Sequence, residues 1–158
     1  YNVDTNTTTD RVLVNELLLK VDVIPASIVL AQAANESAWG TSRFALEGNN
    51  VFGQWCFVEG CGIVPNRRVE GATHEVKSFD TIEDAIESYF LNINSHRLYI
   101  GFRQERARLR QLGQPLDPFL LVQELGRYSQ RGESYIDEVQ TMIQQNDLRQ
   151  RDRRWMEN

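Results

Sequence analysis

The stretch IVLAQAANESAWG, residues 28–40, decides how the rest of the chain is read. It follows Pro25 and is apolar on most sides, and a helix of that kind belongs inside a protein rather than on its surface. Pro25 suits the first turn of such a helix, where a missing N–H costs nothing. Trp39-Gly40 marks its end, because glycine readily takes the left-handed conformation that closes a helix. Yet the last turn carries a carboxylate, Glu36. Burial disfavours its charged form, and so does the partial negative charge of a helix C-terminus, so both push the pKa upward. A carboxylic acid that keeps its proton in an apolar cleft beside an aromatic ring is the group that glycoside hydrolysis needs to protonate a leaving oxygen. The competing reading is a Glu that pairs with Arg43 or lies in solvent.

Working outward, Asp10 is a candidate N-cap for RVLVNELLLK, whose Val12, Leu13, Leu17 and Leu18 mark one helical face. Thr41 or Ser42 caps a short helix, RFALE, that Gly48 ends. From Asn49 to Ser78 the pattern changes. Glycines, one proline and the β-type runs GIVPNRRV and THEVKSF predict a loop and a small hairpin turning near Glu70-Gly71. Asp80 or Thr81 opens a long helix with apolar residues at 82, 85, 86, 89, 90 and 93, and two more helices are expected around PFLLVQELG and SYIDEVQTMIQQNDL. Helices with one small β excursion make an α+β chain, expected to form a single domain over residues 1–158.

The net charge of −5, from 17 basic and 22 acidic residues, argues against a nucleic-acid-binding domain, which shows a basic footprint. No apolar run of about 18 residues is present, so no membrane span is expected. The opening YNVDTNTTTD lacks the apolar core of a signal peptide. Arg103, Arg106, Arg108 and Arg110 form one basic cluster and Arg149, Arg151, Arg153 and Arg154 another; solvated helix faces are the expectation, binding to an anionic polymer the alternative. Cys56 and Cys61 have no further ligands at zinc spacing. A small disulfide loop, implying an oxidising compartment, fits them better, with two free thiols as the alternative. His74 and His96 show no ligand spacing, so neither a metal site nor a cofactor is expected.

The segment Ala31–Gly40, AQAANESAWG, followed by NVFG at Asn50–Gly53, resembles the catalytic segment of the peptidoglycan-cleaving glucosaminidases, glycoside hydrolase family 73. SFDTIEDAIESYFLNI and GRYSQRGESYIDEVQTMI are similar to two later segments of that family, so the resemblance covers about residues 24–145. CFVEGCGIVPNRR and YSQRGESY look closest to a group of bacterial envelope proteins within it. The resemblance implies a lysozyme-like fold, mostly helical with a small β-hairpin lobe over the cleft. It implies hydrolysis of the β-1,4 bond between N-acetylglucosamine and N-acetylmuramic acid. The partner is then the peptidoglycan glycan strand, met by a monomer in the cell envelope, periplasmic or secreted.

Carried over by position, Glu36 matches the general acid and Tyr128, in RYSQRG, a tyrosine that lines the cleft. Trp39 and Phe52 offer apolar faces to sugar rings or serve as core. Asn50 bonds the substrate's acetamido group or caps a turn. The chain departs from the family pattern at the hairpin, where a second Glu stands before the turn in other members and Arg67 or Arg68 stands here. Glu70 is the nearest carboxylate by sequence and the candidate base, ahead of Glu75 and Glu59. Without a second carboxylate, the substrate's own acetamido oxygen is expected to stabilise the oxocarbenium centre, with Tyr128 assisting. The competing functions are a muramidase or lytic transglycosylase on the same polymer, and a non-catalytic wall-binding domain.

Overall fold

The computed structural model describes residues 10–66, 68 and 71–153. Its elements are helices α1 (Asp10–Lys20), α2 (Ala26–Glu36) and α3 (Arg43–Gly48), strands β1 (Trp55–Cys56), β2 (Gly62–Ile63) and β3 (Glu75–Lys77), then helix α4 (Ile82–Ser95), a 3₁₀ turn (Arg97–Tyr99), and helices α5 (Ile100–Gln111), α6 (Pro118–Gln123), α7 (Glu133–Gln145) and α8 (Arg149–Arg153). The fold is α+β, mostly helical with one small antiparallel sheet, in keeping with a lysozyme-like class. Two compact units divide the chain: Gln32–Tyr89, and the residues on either side of it.

In the unit Gln32–Tyr89 the strand order is β1-β3-β2, both pairings antiparallel. The pairing of β2 with β3 is the expected hairpin; Glu70, with Arg67 and Val69, lies outside the described residues. On the other edge of β3 runs β1, placing Trp55 opposite Val76 and Cys56 opposite Glu75. Two residues are too few for alternation to register, so β1 left no trace in the sequence pattern. Gly62 is required where it stands, since a Cβ there would fall 2.0 Å from the Val76 carbonyl oxygen. Ser42 caps α3 by accepting from the Ala45 N–H, and Asn49 ends it in the left-handed conformation. Thr81 and Asp84 form a capping box at the start of α4: the Asp84 N–H donates to Thr81 Oγ1, and the Thr81 N–H to Asp84 Oδ2, both at 3.1 Å.

In the other unit α1 forms as expected but buries none of its residues, so its apolar face is only partly covered. Pro25 stands just ahead of α2 rather than in its first turn, its carbonyl accepting from the Ile28 and Val29 N–H groups. The N-terminus of α2 is capped from far along the chain. Ser27 donates its N–H and its hydroxyl to the two oxygens of Asp152 in α8, at 2.8 and 2.7 Å. A carboxylate there satisfies an orphan helix donor and meets the positive end of the helix dipole.

Arg103 and Arg106 correct the expectation of a solvated cluster. Three residues apart, they share one face of α5, and that face is buried. Arg106 is 1% exposed. Its Nη1 donates to the carbonyls of Asp22 (3.1 Å) and Val23 (3.0 Å) and to Asn94 Oδ1 (2.8 Å), and its Nη2 to the Leu19 carbonyl (3.0 Å). Arg103 donates to the carbonyls of Ile93 and His96. Both guanidinium groups thus tie together partly buried backbone carbonyls from separate segments. Arg108 and Arg110 do face solvent.

Candidate active site

Glu36 is the last residue of α2, and Ser37 explains why the helix stops there. The buried Ser37 hydroxyl donates to the Ala33 carbonyl at 2.6 Å and accepts from the Gly40 N–H at 2.7 Å. The chain then passes through three left-handed residues in succession, Ala38 (φ 50°), Trp39 (φ 59°) and Gly40 (φ 78°). The Trp39 N–H returns to the Ala34 carbonyl and the Ser42 N–H to the Ser37 carbonyl. Glycine takes this conformation freely, whereas Ala38 and Trp39 each hold strain in it. The reversal leaves the Trp39 side chain 64% exposed.

The Glu36 carboxylate has one sealed side and one tight side. Its Oε1 is out of reach of solvent. Against its Oε2 lies Gly53, itself left-handed at φ 64°; the point a Cβ would occupy on Gly53 is 3.1 Å from Oε2. The loop that presents Gly53 is held by Asn50, which is buried. Asn50 Nδ2 donates to the carbonyls of Gln54 (2.9 Å) and Lys77 (2.7 Å), while its Oδ1 accepts from the N–H groups of Phe52 and Gln54. The amide is therefore fully engaged by backbone. Phe52, 1% exposed, gives its ring to the core, stacked on Tyr89 with centroids 4.2 Å apart. The Tyr89 hydroxyl donates to Gln32 Oε1 at 2.5 Å. Gln32 lies one turn before Glu36 on α2, so the helix that ends in the carboxylate and the loop that meets it share one buried support. A polar Gln32 one turn before Glu36 in an otherwise apolar helix was the available sequence signal for this support; nothing in the sequence signalled the approach of Gly53.

The sheet carries a buried carboxylate with a different occupation. Glu75 accepts from the Gly60 N–H (3.1 Å) and the Gly62 N–H (2.8 Å). Those two bonds, working against burial and helped by the charge of Arg68, hold its carboxyl below the ordinary value. The same loop is closed by a disulfide between Cys56 and Cys61, Cα atoms 6.2 Å apart, so Glu75 braces the bridged loop. Among the described residues, Cys56, Cys61 and Glu75 are the group whose donor atoms come near enough to one another to suit a metal. Here the sulfurs are bonded to each other and the carboxylate to backbone N–H groups. Glu59 is exposed. Tyr128 belongs to the other unit, where its half-buried ring lies parallel to Tyr135 (5.8 Å) and tilted against Tyr99 (6.1 Å).

Residues 13–148 match the family model Glucosaminidase, described as mannosyl-glycoprotein endo-beta-N-acetylglucosaminidase. The chain is also 36% identical over 146 residues to Protein bax of Escherichia coli (strain K12), an alignment that takes in 92% of the chain and 52% of that protein. It thus spans about half the length of this relative. No solved structure matches the chain. No helix among the described residues is long and apolar enough to cross a membrane.

Proposed function

We propose, from the premise that the chain belongs to the Glucosaminidase family, that it is a glycoside hydrolase of family 73 that cuts the β-1,4 bond between N-acetylglucosamine and N-acetylmuramic acid in bacterial peptidoglycan, with Glu36 as general acid. The observation that carries this reading is the setting of Glu36: the end of a helix with one buried face, one oxygen sealed, the other against a residue without a side chain. Such a setting keeps the geometry of the carboxylate fixed. Glu36 gives its proton to the bridging oxygen as the bond from that oxygen to the anomeric carbon breaks, so the leaving sugar departs as a neutral alcohol.

The positive charge that develops at the anomeric carbon needs an electron-rich partner. Glu75 is bonded to Gly60 and Gly62. We assign the task to the acetamido oxygen of the N-acetylglucosamine ring, which closes onto the anomeric carbon, with Tyr128 assisting. Water then opens the cyclised ring and passes its proton to the Glu36 carboxylate, and two displacements leave the configuration retained. Glu70 is the rival for this role. A nearly silent Glu70→Gln, together with inhibition by a thiazoline mimic of the cyclised ring, supports the acetamido route. A severe Glu70→Gln loss without such inhibition supports the carboxylate. The disulfide suits an oxidising compartment and supports a location in the bacterial envelope, periplasmic or secreted.

The test is digestion of purified sacculi with product analysis by mass spectrometry. Reducing N-acetylglucosamine ends are expected; reducing or anhydro N-acetylmuramic acid ends would assign the opposite bond. Glu36→Gln keeps the shape and removes the proton, so lysis should fall by about 10²–10⁴-fold in a folded chain. Parental lysis by that variant would remove Glu36 from the mechanism.

A further inference from the structure

Trp55 stands on the edge strand β1, opposite Val76 and diagonal to His74 across the β1–β3 pair. The His74 imidazole lies flat on the indole, ring centroids 4.0 Å apart and planes 15° from parallel. One face of the ring is therefore covered and braced, while the residue as a whole remains 52% exposed. This differs from a surface aromatic lying loosely on the protein: the indole is held in one orientation with its outer face presented to solvent. Its place along the chain matters too. Trp55 follows Gly53 by two residues, so their Cα atoms are within about 7 Å of each other. The point a Cβ would occupy on Gly53 is 3.1 Å from Glu36 Oε2. The residue between them, Gln54, is anchored inward, donating to the Ala85 carbonyl at 2.9 Å and accepting from the Ser88 hydroxyl at 2.7 Å. The short link from carboxylate to indole is thus rigid.

We infer that Trp55, backed by His74, is a stacking platform for a pyranose ring of the glycan strand, close to the bond at Glu36. The inference rests on the glycosidase reading of the site. A β-linked N-acetylhexosamine has an apolar face of ring C–H groups, and the negative π face of an indole attracts such weakly positive hydrogens while both surfaces leave water. A ring already held flat by His74 loses little freedom on binding, which favours affinity. Recognition through the ring face ignores the lactyl and peptide substituents of peptidoglycan, so a plain β-1,4 N-acetylglucosamine hexasaccharide carries the same determinant. Trp55 acts here on binding, since the stacked ring exchanges no proton with the reacting atoms.

The test uses that hexasaccharide, titrated calorimetrically into the whole chain carrying Glu36→Gln so that nothing is cut, and sacculi for kinetics in the active chain. Trp55→Ala should weaken hexasaccharide binding by about tenfold and raise KM for sacculi to match, with kcat within about twofold of the parent. Trp55→Phe should recover most of the binding. Trp55→Leu keeps apolar cover over Val76 without a flat face, and should resemble Trp55→Ala while melting like the parent. His74→Ala should weaken binding by less than Trp55→Ala. Parental binding and KM in both Trp55→Ala and Trp55→Leu would overturn the inference, as would a fall in kcat alone. A chain that cuts sacculi but binds equally well without Trp55 refutes the platform and leaves the glycosidase reading standing. A chain that cuts no glycan, yet loses hexasaccharide binding with Trp55, does the reverse.

Discussion

Glu36 lies against the space a side chain would take at Gly53: its Oε2 is 3.1 Å from where a Cβ would stand and its own Cβ 3.8 Å. Gly53→Ala therefore forces the carboxylate aside and also places an alanine at φ 64°. The carboxylate must give by a few tenths of an ångström, so lysis of sacculi should fall several-fold, short of the about 10²-fold that a 1 Å displacement can cost. The left-handed backbone should add a stability loss of about 1–2 kcal/mol. Thermal melting and initial lysis rates measure the two effects separately. A parental rate in the alanine variant would mean that the contact leaves Glu36 free to shift without consequence.

The strained reversal after Glu36 gives an opposite effect on stability. Ala38 sits at φ 50° with no glycine to ease it. Ala38→Gly should raise stability by about 1 kcal/mol, the relief of the left-handed conformation exceeding the extra freedom of glycine in the unfolded chain. The urea midpoint should move up at unchanged m-value. A downward shift would show that the unfolded-state entropy dominates.

Arg106 serves four acceptors contributed by Leu19, Asp22, Val23 and Asn94. Arg106→Met preserves most of the volume but leaves those acceptors without their donor, and should cost about 1–3 kcal/mol. Arg106→Lys should rescue little, because one ammonium on a flexible stem cannot reproduce the planar fork. Denaturant unfolding of both variants tests this; a lysine variant as stable as the parent would show that the charge alone suffices.

Acid should weaken the fold through Asp22 and Glu75. Burial works to raise the Asp22 carboxyl, but the hydrogen bonds from Arg110 and the Val23 N–H, with the charges of Arg106 and Arg110, outweigh it and hold the group below its ordinary 3.8. Glu75 is held below its ordinary 4.5, chiefly by the Gly60 and Gly62 N–H groups. A carboxyl depressed in the folded state contributes stability above its unfolded value and loses it as the pH falls through the folded one. Their contribution should thus be level from neutrality down to 4.5 and decline below that. Asp22→Asn should flatten part of the decline in thermal midpoint over that acidic range. Identical slopes in variant and parent would exclude Asp22 as a source.

The helical frame was legible because its signals are local. The 3.6-residue spacing gave α4 and α7, and a carboxylate closing an apolar run picked out Glu36 before any tertiary contact was known. Arg103 and Arg106 misled for a physical reason: arginines three apart on a helix read alike whether their donors meet water or distant carbonyls, and the acceptors of Arg106 in the α1–α2 region lie 83 to 87 residues away. The role of Gly53 depends on which side chain the fold lays against it. The bond from Ser27 to Asp152 joins positions 125 residues apart that share no pattern. The family resemblance pointed to Glu36 as the candidate acid without revealing these supports.

That last bond has a consequence in time. Synthesis runs from the N-terminus, so α2 leaves the ribosome long before Asp152 exists to receive the Ser27 donors. Throughout that interval the helix that ends in Glu36 lacks the carboxylate at its positive end, and closing so distant a contact comes late and slowly in folding. A nascent chain cut short before α8 would release a helix whose Ser27 donors had never met the Asp152 carboxylate.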